Sequence, residues 1–276
     1  MKREKNNERP ASVLNLPNML TGFNLLSGFL SVVCAAAGRL DLAVLFVLVG
    51  MVFDFFDGMT ARLLKIQSEL GKQLDSLADV VTFGVAPGFI MMIVMMMDVE
   101  FYTEQPFSET IAYDFMEHVW LLLSGEINDF VPFVALCIPF FSMLRLGKFN
   151  IDTRQTDSFI GLPTPANALF FMGFPLILIY HELLPDSFYA IREVMLNQYF
   201  MAISCVVFSL LLISELKLFS LKFKSLRWEG NEVRFIFLLI SIALIFVFKV
   251  LALPLIVILY LLISIVKHFL TNRNEV

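Results

Sequence analysis

Four aspartates lie at helical spacing within an apolar stretch of this sequence. Asp54 and Asp57 are three residues apart, and Asp75 and Asp79 are four residues apart. These spacings place both members of each pair on one face of an α-helix. Ionised carboxylates in a medium of low dielectric constant repel one another and lose hydration energy, so a cation must accompany them. The four residues therefore predict a cation-binding site.

The residues between the two pairs predict a turn that folds the two helices into a hairpin. Ser68 is suited to cap the second helix, because its hydroxyl can accept a bond from a free backbone N–H group. Since each helix rises about 1.5 Å per residue, Asp57 should lie opposite Asp75. Asp54 should likewise lie opposite Asp79. All four are within roughly 20 Å of the turn by the same rise, so we expect them near one membrane surface.

The identity of the cation follows from the charges and ligand atoms at hand. Arg62 and Lys65 offer two positive charges, which leaves a deficit that one or two divalent cations would fill. Carboxylate oxygens suit Mg²⁺, Mn²⁺ or Ca²⁺ and disfavour zinc or copper. Gly58, Ala61 and Gly71 leave room for a ligand beside the backbone, although small residues also serve helix packing in membranes. The alternative is a structural cluster of aspartates paired with cationic side chains.

The composition indicates an integral membrane protein. Of the 276 residues, 58% are hydrophobic and 30 are phenylalanine, whereas soluble domains are about 45–50% apolar. The three cysteines stand in apolar stretches without a Cys-x-x-Cys pair, which excludes a cysteine metal cage and a disulfide framework. Because no repeat or linker divides the chain, we expect a single membrane domain over residues 1–276 and no nucleic acid among its partners.

Runs of about 20 apolar residues predict eight membrane spans and an all-α fold. They cover residues 17–37, 40–65, 74–97, 130–148, 165–183, 198–218, 233–249 and 250–268. The last two runs meet at Lys249, so seven spans with a re-entrant piece are the alternative. Basic residues beside spans favour the cytoplasm, and they cluster in segments 1–16 and 217–232, whereas connector 98–129 is acidic. We therefore expect both termini in the cytoplasm.

Two of these segments allow a second interpretation. The basic amino terminus and first apolar run could form a cleaved signal peptide. An h-region has only about 7–15 residues, however, and this run is longer and contains Asn18, Thr21 and Asn24. We therefore expect the first span to remain. Connector 217–232 is rich in lysine and is typical of a helix lying on anionic lipid, with a solvated loop as the alternative.

The pattern around the aspartates resembles the signature of a known family, the CDP-alcohol phosphatidyltransferases. The match holds at all eight fixed positions without a change of spacing: Asp54-x2-Asp57-Gly58-x2-Ala61-Arg62-x8-Gly71-x3-Asp75-x3-Asp79. Members of this family transfer a phosphatidyl group from CDP-diacylglycerol to an alcohol and release CMP. The resemblance thus implies a helical bundle of this family's type, built around the catalytic motif at residues 54–79.

The resemblance also implies roles for individual residues. Two divalent ions, Mg²⁺ or Mn²⁺, would bind the CDP pyrophosphate together with Asp54, Asp57, Asp75 and Asp79. Asp79 would in addition take the proton from the acceptor hydroxyl, as a carboxylate within hydrogen-bond reach can. CDP-diacylglycerol would contact the four remaining signature positions, Gly58, Ala61, Arg62 and Gly71, and also Ser68. In the first span, Asn18 and Thr21 could face the nucleotide or serve as helix caps.

Three further stretches are similar to one branch of the family, the bacterial phosphatidylserine synthases. They are LPNMLTGFNLLSGFLSV, DSLADVVTFGVAPGF and RLGKFNIDTRQTDSFIGLPTPANA. This similarity covers residues 12 to about 170. It implies L-serine as the acceptor, a homodimer, and a bacterial inner membrane with the active site facing the cytoplasm.

The acceptor is the weakest part of this interpretation. Arg145, Lys148 and Asn150 stand at the cytoplasmic end of the fourth run, where an arginine could bind the serine carboxylate or a lipid phosphate. Topology alone would also place basic residues there. Glycerol 3-phosphate or inositol phosphate is the alternative acceptor. A cation transporter with a four-aspartate site is the alternative from another class, although the internal repeats of many transporters are missing from the sequence.

Overall fold

A computed structural model describes residues 13–97, 108–152, 159–180, 184, 188–219, 228 and 231–273. The basic segment up to residue 12, the start of the acidic connector and most of connector 217–232 lie outside the described residues. The helices in the described part are α1 (Leu16–Ala36), α2 (Leu40–Leu64), α3 (Glu69–Val80), α4 (Ala86–Met96), α5 (Ser108–Ser124), α6 (Cys137–Ile151), α7 (Thr164–Ile179), α8 (Tyr189–Leu196), α9 (Gln198–Ile213), α10 (Glu232–Phe248) and α11 (Ala252–Arg273).

The helices confirm an integral membrane protein but do not reach the predicted number of spans. Within the described residues, five helical segments are long and apolar enough to cross a bilayer, or six if the bent pair α8–α9 counts as one. Helix α7 has 16 residues, somewhat fewer than the 17–25 that a span usually needs. The count of eight therefore stays a prediction.

The last two helices fold back on each other. The rings of Phe237 in α10 and Tyr260 in α11 have centroids 6.0 Å apart, whereas a continuous helix would separate them by about 35 Å at 1.5 Å per residue. The chain reverses at Lys249, whose φ is 48° and ψ is −115°. The apolar stretch Glu232–Lys267 is thus a hairpin of two helices, and its reversal is where the two apolar runs of the sequence meet.

Helix α4, which follows α3, forms the centre of the bundle. A π-helical turn, Val81–Val85, joins them, and every residue of α4 except Phe89 is buried. At Gly84, an added Cβ would lie 3.1 Å from the Cβ of Ser142 and 3.3 Å from the Cα of Pro139. Glycine therefore lets α6 pack closely against this central segment, just beyond the second aspartate pair.

A short antiparallel sheet departs from the predicted all-α fold. Strand β1 (Phe159–Ile160) pairs with β2 (Lys217–Leu218), so the prediction of a helix is wrong for the start of connector 217–232. Gly161 follows β1 with φ 76°, and its N–H donates to the carbonyl of Leu216 over 2.9 Å. Two-residue strands are too short to show a hydropathy period, which is why the sequence did not indicate them.

The acidic connector 98–129 contains a helix, α5, that the sequence analysis did not predict. In α5, Ile111 is fully buried, and the ring of Phe115 meets that of Phe89 edge-on with centroids 5.6 Å apart. The described part of this connector therefore packs against the bundle at its start and middle.

Candidate active site

The predicted hairpin between α2 and α3 is present, with the expected cap. Helix α2 ends at Lys65, which adopts the left-handed conformation. The Oγ of Ser68 then accepts a hydrogen bond of 3.0 Å from the N–H of Gly71, which confirms Ser68 as the N-cap of α3. Two local signals, the end of one helix and the capped start of the next, thus set the register of the two aspartate pairs.

The hairpin brings the four aspartates together. One carboxylate oxygen each from Asp54, Asp57 and Asp75 lies within 4.8 Å of the other two. Asp79 lies one helical turn further along α3 than Asp75, and its carboxylate interacts with those of Asp54 and Asp75. Asp57 and Asp79 are buried, with 5% and 7% of their surface exposed. The arrangement is a compact, all-oxygen cluster at one end of the bundle.

The ligand atoms of this cluster fit a divalent metal better than an ion-pair network. In the described ranges, no ion pair joins any of the four aspartates to a lysine or arginine. Arg62 and Lys65, which the ion-pair alternative requires, are both exposed. One oxygen of Asp75, Oδ1, is buried without a hydrogen-bond partner. Since buried charges need a partner, and carboxylate oxygens suit Mg²⁺ and Mn²⁺, the site favours the metal interpretation.

Two side chains of helix α1 donate hydrogen bonds to the aspartates. The Oγ1 of Thr21 donates to Oδ2 of Asp57 over 2.6 Å, and the Nδ2 of Asn24 donates to Oδ1 of Asp79 over 3.1 Å. The sequence interpretation gave Asn24 no role. Its spacing of three residues from Thr21 was the available signal, because that spacing places both side chains on one face of the helix.

A cavity of about 430 Å³ opens beside the cluster. Its lining includes nine of the predicted site residues: Asn18, Thr21, Asp57, Gly58, Ala61, Arg62, Ser68, Gly71 and Asp75. Lys72 and Phe149 also line it, and the sequence interpretation gave neither a role. At Gly58 an added Cβ would meet open space, whereas at Gly71 it would lie 3.2 Å from the Oγ of Ser68. Gly58 thus leaves the backbone of α2 accessible to a ligand.

The three residues predicted to bind the acceptor have different partners. Arg145 of α6 is buried, and its Nε has no hydrogen-bond partner, while its charge interacts with that of Asp79. Lys148 instead pairs with Glu215 over 2.5 Å. Asn150 donates to the Oγ of Ser76 over 2.8 Å and therefore ties the end of α6 to α3. Of the three, only Arg145 has a charge interaction with a carboxylate of the cluster.

Comparison with known families shows which family the chain matches. Residues 14–210 match the CDP-alcohol phosphatidyltransferase family, a range that runs from just before α1 into α9 and includes every residue of the candidate active site. The chain belongs to this family. The matched range contains the whole eight-position signature, and membership in a family of phosphatidyltransferases favours the enzyme over the cation transporter.

Individual relatives in the CDP-alcohol phosphatidyltransferase family are similar over different lengths. A CDP-diacylglycerol–serine O-phosphatidyltransferase of Helicobacter pylori is 30% identical over 267 residues, which cover 94% of this chain and 95% of that protein. A Bacillus subtilis protein of the same name is 36% identical over 154 residues, 54% of this chain and 69% of the relative. The archaetidylserine synthase of Methanothermobacter thermautotrophicus is 31% identical over 181 residues, covering 64% and 65% of the two chains.

Proposed function

We propose that this CDP-alcohol phosphatidyltransferase transfers the phosphatidyl group of CDP-diacylglycerol to the hydroxyl of L-serine and releases CMP. One observation carries the proposal: a four-aspartate cluster borders an open cavity in a chain that is similar, over nearly its whole length, to a serine-dependent relative. In the reaction, the serine oxygen forms a bond to the phosphatidyl phosphorus, and the bond from that phosphorus to the CMP oxygen breaks.

The aspartates would hold two divalent ions, Mg²⁺ or Mn²⁺. Asp54, Asp57 and Asp75 offer converging oxygens, and Asp79 lies beside them. Bound ions would offset the negative charge on the pyrophosphate and on the departing CMP. The protein's own contribution is the hairpin, which holds the four carboxylates together before substrate binds, with Asp57 and Asp75 lining the cavity.

The nucleotide and its phosphates would occupy the cavity. Gly58 and Ala61 line the cavity on the α2 side and, being small, leave space for the nucleotide. The exposed guanidinium of Arg62 also lines the cavity and is available to a phosphate. An arginine can bind a phosphate through two parallel hydrogen bonds. The backbone at the Ser68–Gly71 cap and the side chain of Asn18 line the same cavity. We propose that these groups orient CDP-diacylglycerol rather than take part in bond breaking.

Asp79 would deprotonate the acceptor and Arg145 would bind it. We infer that Asp79 takes the proton of the serine hydroxyl, because a buried carboxylate beside the cluster is suited to act as a general base. Arg145 is a buried cation with no ion pair in the described part of the chain, and an unpaired buried charge is costly. The carboxylate of serine would supply the missing anion. Lys148 and Asn150 then serve to hold α6 in place.

The proposed arrangement in the membrane follows from the charges beside the spans. The α2–α3 turn carries Arg62, Lys65 and Lys72, and basic connectors favour the cytoplasm. We propose eight spans with both termini and the active site on that side, in a bacterial inner membrane, and a homodimer. In this position the acyl chains of the lipid substrate stay in the bilayer while serine arrives from the aqueous side.

An acceptor panel tests the function. Purified protein in mixed lipid micelles would be given labelled CDP-diacylglycerol, a divalent ion and one acceptor at a time. We expect CMP release and labelled phosphatidylserine only with L-serine. Release with glycerol 3-phosphate or inositol phosphate in place of serine would contradict the acceptor, and no release with any acceptor would contradict the transferase function.

A further inference from the structure

Asn24 is a buried residue that contacts the proposed catalytic base. Its Nδ2 donates to Oδ1 of Asp79 over 3.1 Å, and its own surface is fully buried. The two residues belong to different helices and are far apart in the sequence, so this bond exists only because α1 packs against α3. It links the position of the Asp79 carboxylate to the position of α1.

Two further segments enclose Asn24. The Oγ1 of Thr82 donates to the backbone carbonyl of Asn24 over 2.9 Å, which fixes α1 against the segment that follows Asp79. On the other side, a Cβ added to Gly50 of α2 would lie 3.0 Å from Oδ1 of Asn24. Because three helical segments enclose it, the amide has little freedom to adopt another rotamer.

The orientation of the amide shows which contact determines it. Oδ1 of Asn24 is buried without a hydrogen-bond partner, an arrangement that costs free energy. A carboxylate can only accept hydrogen bonds, so the NH₂ group must face Asp79, and Oδ1 is then left on the side of Gly50. The site thus satisfies the carboxylate of Asp79 at the expense of the amide oxygen.

We propose that Asn24 is a positioning residue for Asp79. It engages one carboxylate oxygen, so that the other is presented to a metal ion and to the acceptor hydroxyl in a fixed direction. This inference rests on the proposed function for its kinetic consequence, but the predicted effect on metal binding does not depend on the acceptor. Thr21 makes the corresponding bond to Asp57, so α1 aligns one carboxylate on each arm of the hairpin.

Two substitutions test this role. Asn24→Leu keeps the approximate size and removes both polar atoms, and Asn24→Asp keeps the shape while removing the donor. Groups that orient metal ligands typically change activity or metal affinity by about 10- to 100-fold when they are removed. We expect kcat to fall by that factor in both variants while the KM values for serine and CDP-diacylglycerol stay within about twofold. Mn²⁺ affinity, measured by electron paramagnetic resonance on the protein without substrates, should fall by a similar factor in Asn24→Leu, which adds no carboxylate to the site.

Ser31→Ala is the matched control. Ser31 lies two turns further along the same helix, is equally buried, and donates an interhelical bond of 2.7 Å to the carbonyl of Ala43. Its loss perturbs the packing of α1 on α2 without reaching the aspartates. We expect kcat and Mn²⁺ affinity close to wild type, with thermal unfolding recorded for all variants.

Several outcomes would overturn the proposal. Wild-type kcat in Asn24→Leu and Asn24→Asp would do so, as would equal losses in Ser31→Ala, or unchanged Mn²⁺ affinity in folded Asn24→Leu. Absence of serine-dependent CMP release from the wild-type protein is a different result: it removes the proposed function, while the Mn²⁺ measurements still decide whether Asn24 positions Asp79.

Discussion

Two helical hairpins of this protein turn in a similar way but differ in their acidic residues. The α2–α3 hairpin turns after Lys65, and the α10–α11 hairpin turns at Lys249; both lysines have a positive φ. The first contains four aspartates within 26 residues, from Asp54 to Asp79, whereas the sequence from Val233 to Arg273 contains no acidic residue. A helical hairpin of this kind therefore forms without acidic residues, whereas the candidate site requires them.

The two hairpins are held by different contacts. The carboxylates of the first bond to side chains of α1, at Thr21 and Asn24. The second is held by rings: Tyr260 lies 5.0 Å from Phe219 and 6.0 Å from Phe237 between centroids. Hydrogen bonds are directional, whereas apolar burial is not. Directional contacts can aim a carboxylate at a substrate, so we expect the chemistry to depend on the first hairpin and not on the second.

The largest expected effect is that of Asp79→Asn. The substitution keeps the size and removes the negative charge and the proposed base, so turnover should fall by about 10²- to 10⁴-fold. CMP release with saturating serine measures it. A variant with more than a tenth of wild-type kcat would show that Asp79 is not the base and would weaken the contrast between the hairpins.

Metal removal should come next. If the ions contribute several kcal/mol of charge stabilisation, chelation should lower the rate at least about 100-fold. Adding Mg²⁺ or Mn²⁺ should restore CMP release, and Zn²⁺ should not, because the site offers only oxygen ligands. Full activity after exhaustive chelation would contradict the metal interpretation.

Substitution of Arg145 tests the proposed serine-binding role. The charge of Arg145 interacts with Asp79 of the first hairpin and with Tyr260 of the second. Hydrogen bonds to charged groups contribute about 1.5–3 kcal/mol, so Arg145→Ala should raise the KM for serine by about 10- to 100-fold. Lys148→Ala is the control, because its ion pair with Glu215 is exposed and such pairs contribute little. Equal effects in both variants would indicate a general effect of charge.

Tyr260→Phe should have the smallest effect, on stability rather than rate. The Tyr260 hydroxyl donates a buried bond of 2.9 Å to the carbonyl of Phe219, and its loss should cost about 0.5–1.5 kcal/mol of unfolding free energy. We expect a lower unfolding midpoint in detergent and a kcat within about twofold of wild type. A large loss of kcat without loss of stability would show that the second hairpin takes part in the chemistry.

Local patterns predicted the part of the site that depends on neighbouring residues. The turn, the Ser68 cap and the convergence of Asp54, Asp57 and Asp75 follow from helix rise and spacing and are present. The β1–β2 sheet and α5 were missed, because short strands and a helix inside an acidic connector leave a weak periodic signal.

The sequence by itself determined the membrane class, the hairpin register and the family signature, because each depends on composition or on residues within a few helical turns. Only the tertiary structure decided which polar side chains of other helices reach the aspartates. It placed Asn24 against Asp79 and gave Arg145 and Lys148 different partners, although both basic residues lie on the same helix. The physical reason is that helix packing is a long-range property, set by close approaches such as Gly84 on α6 and Gly50 on α1, which no local period encodes.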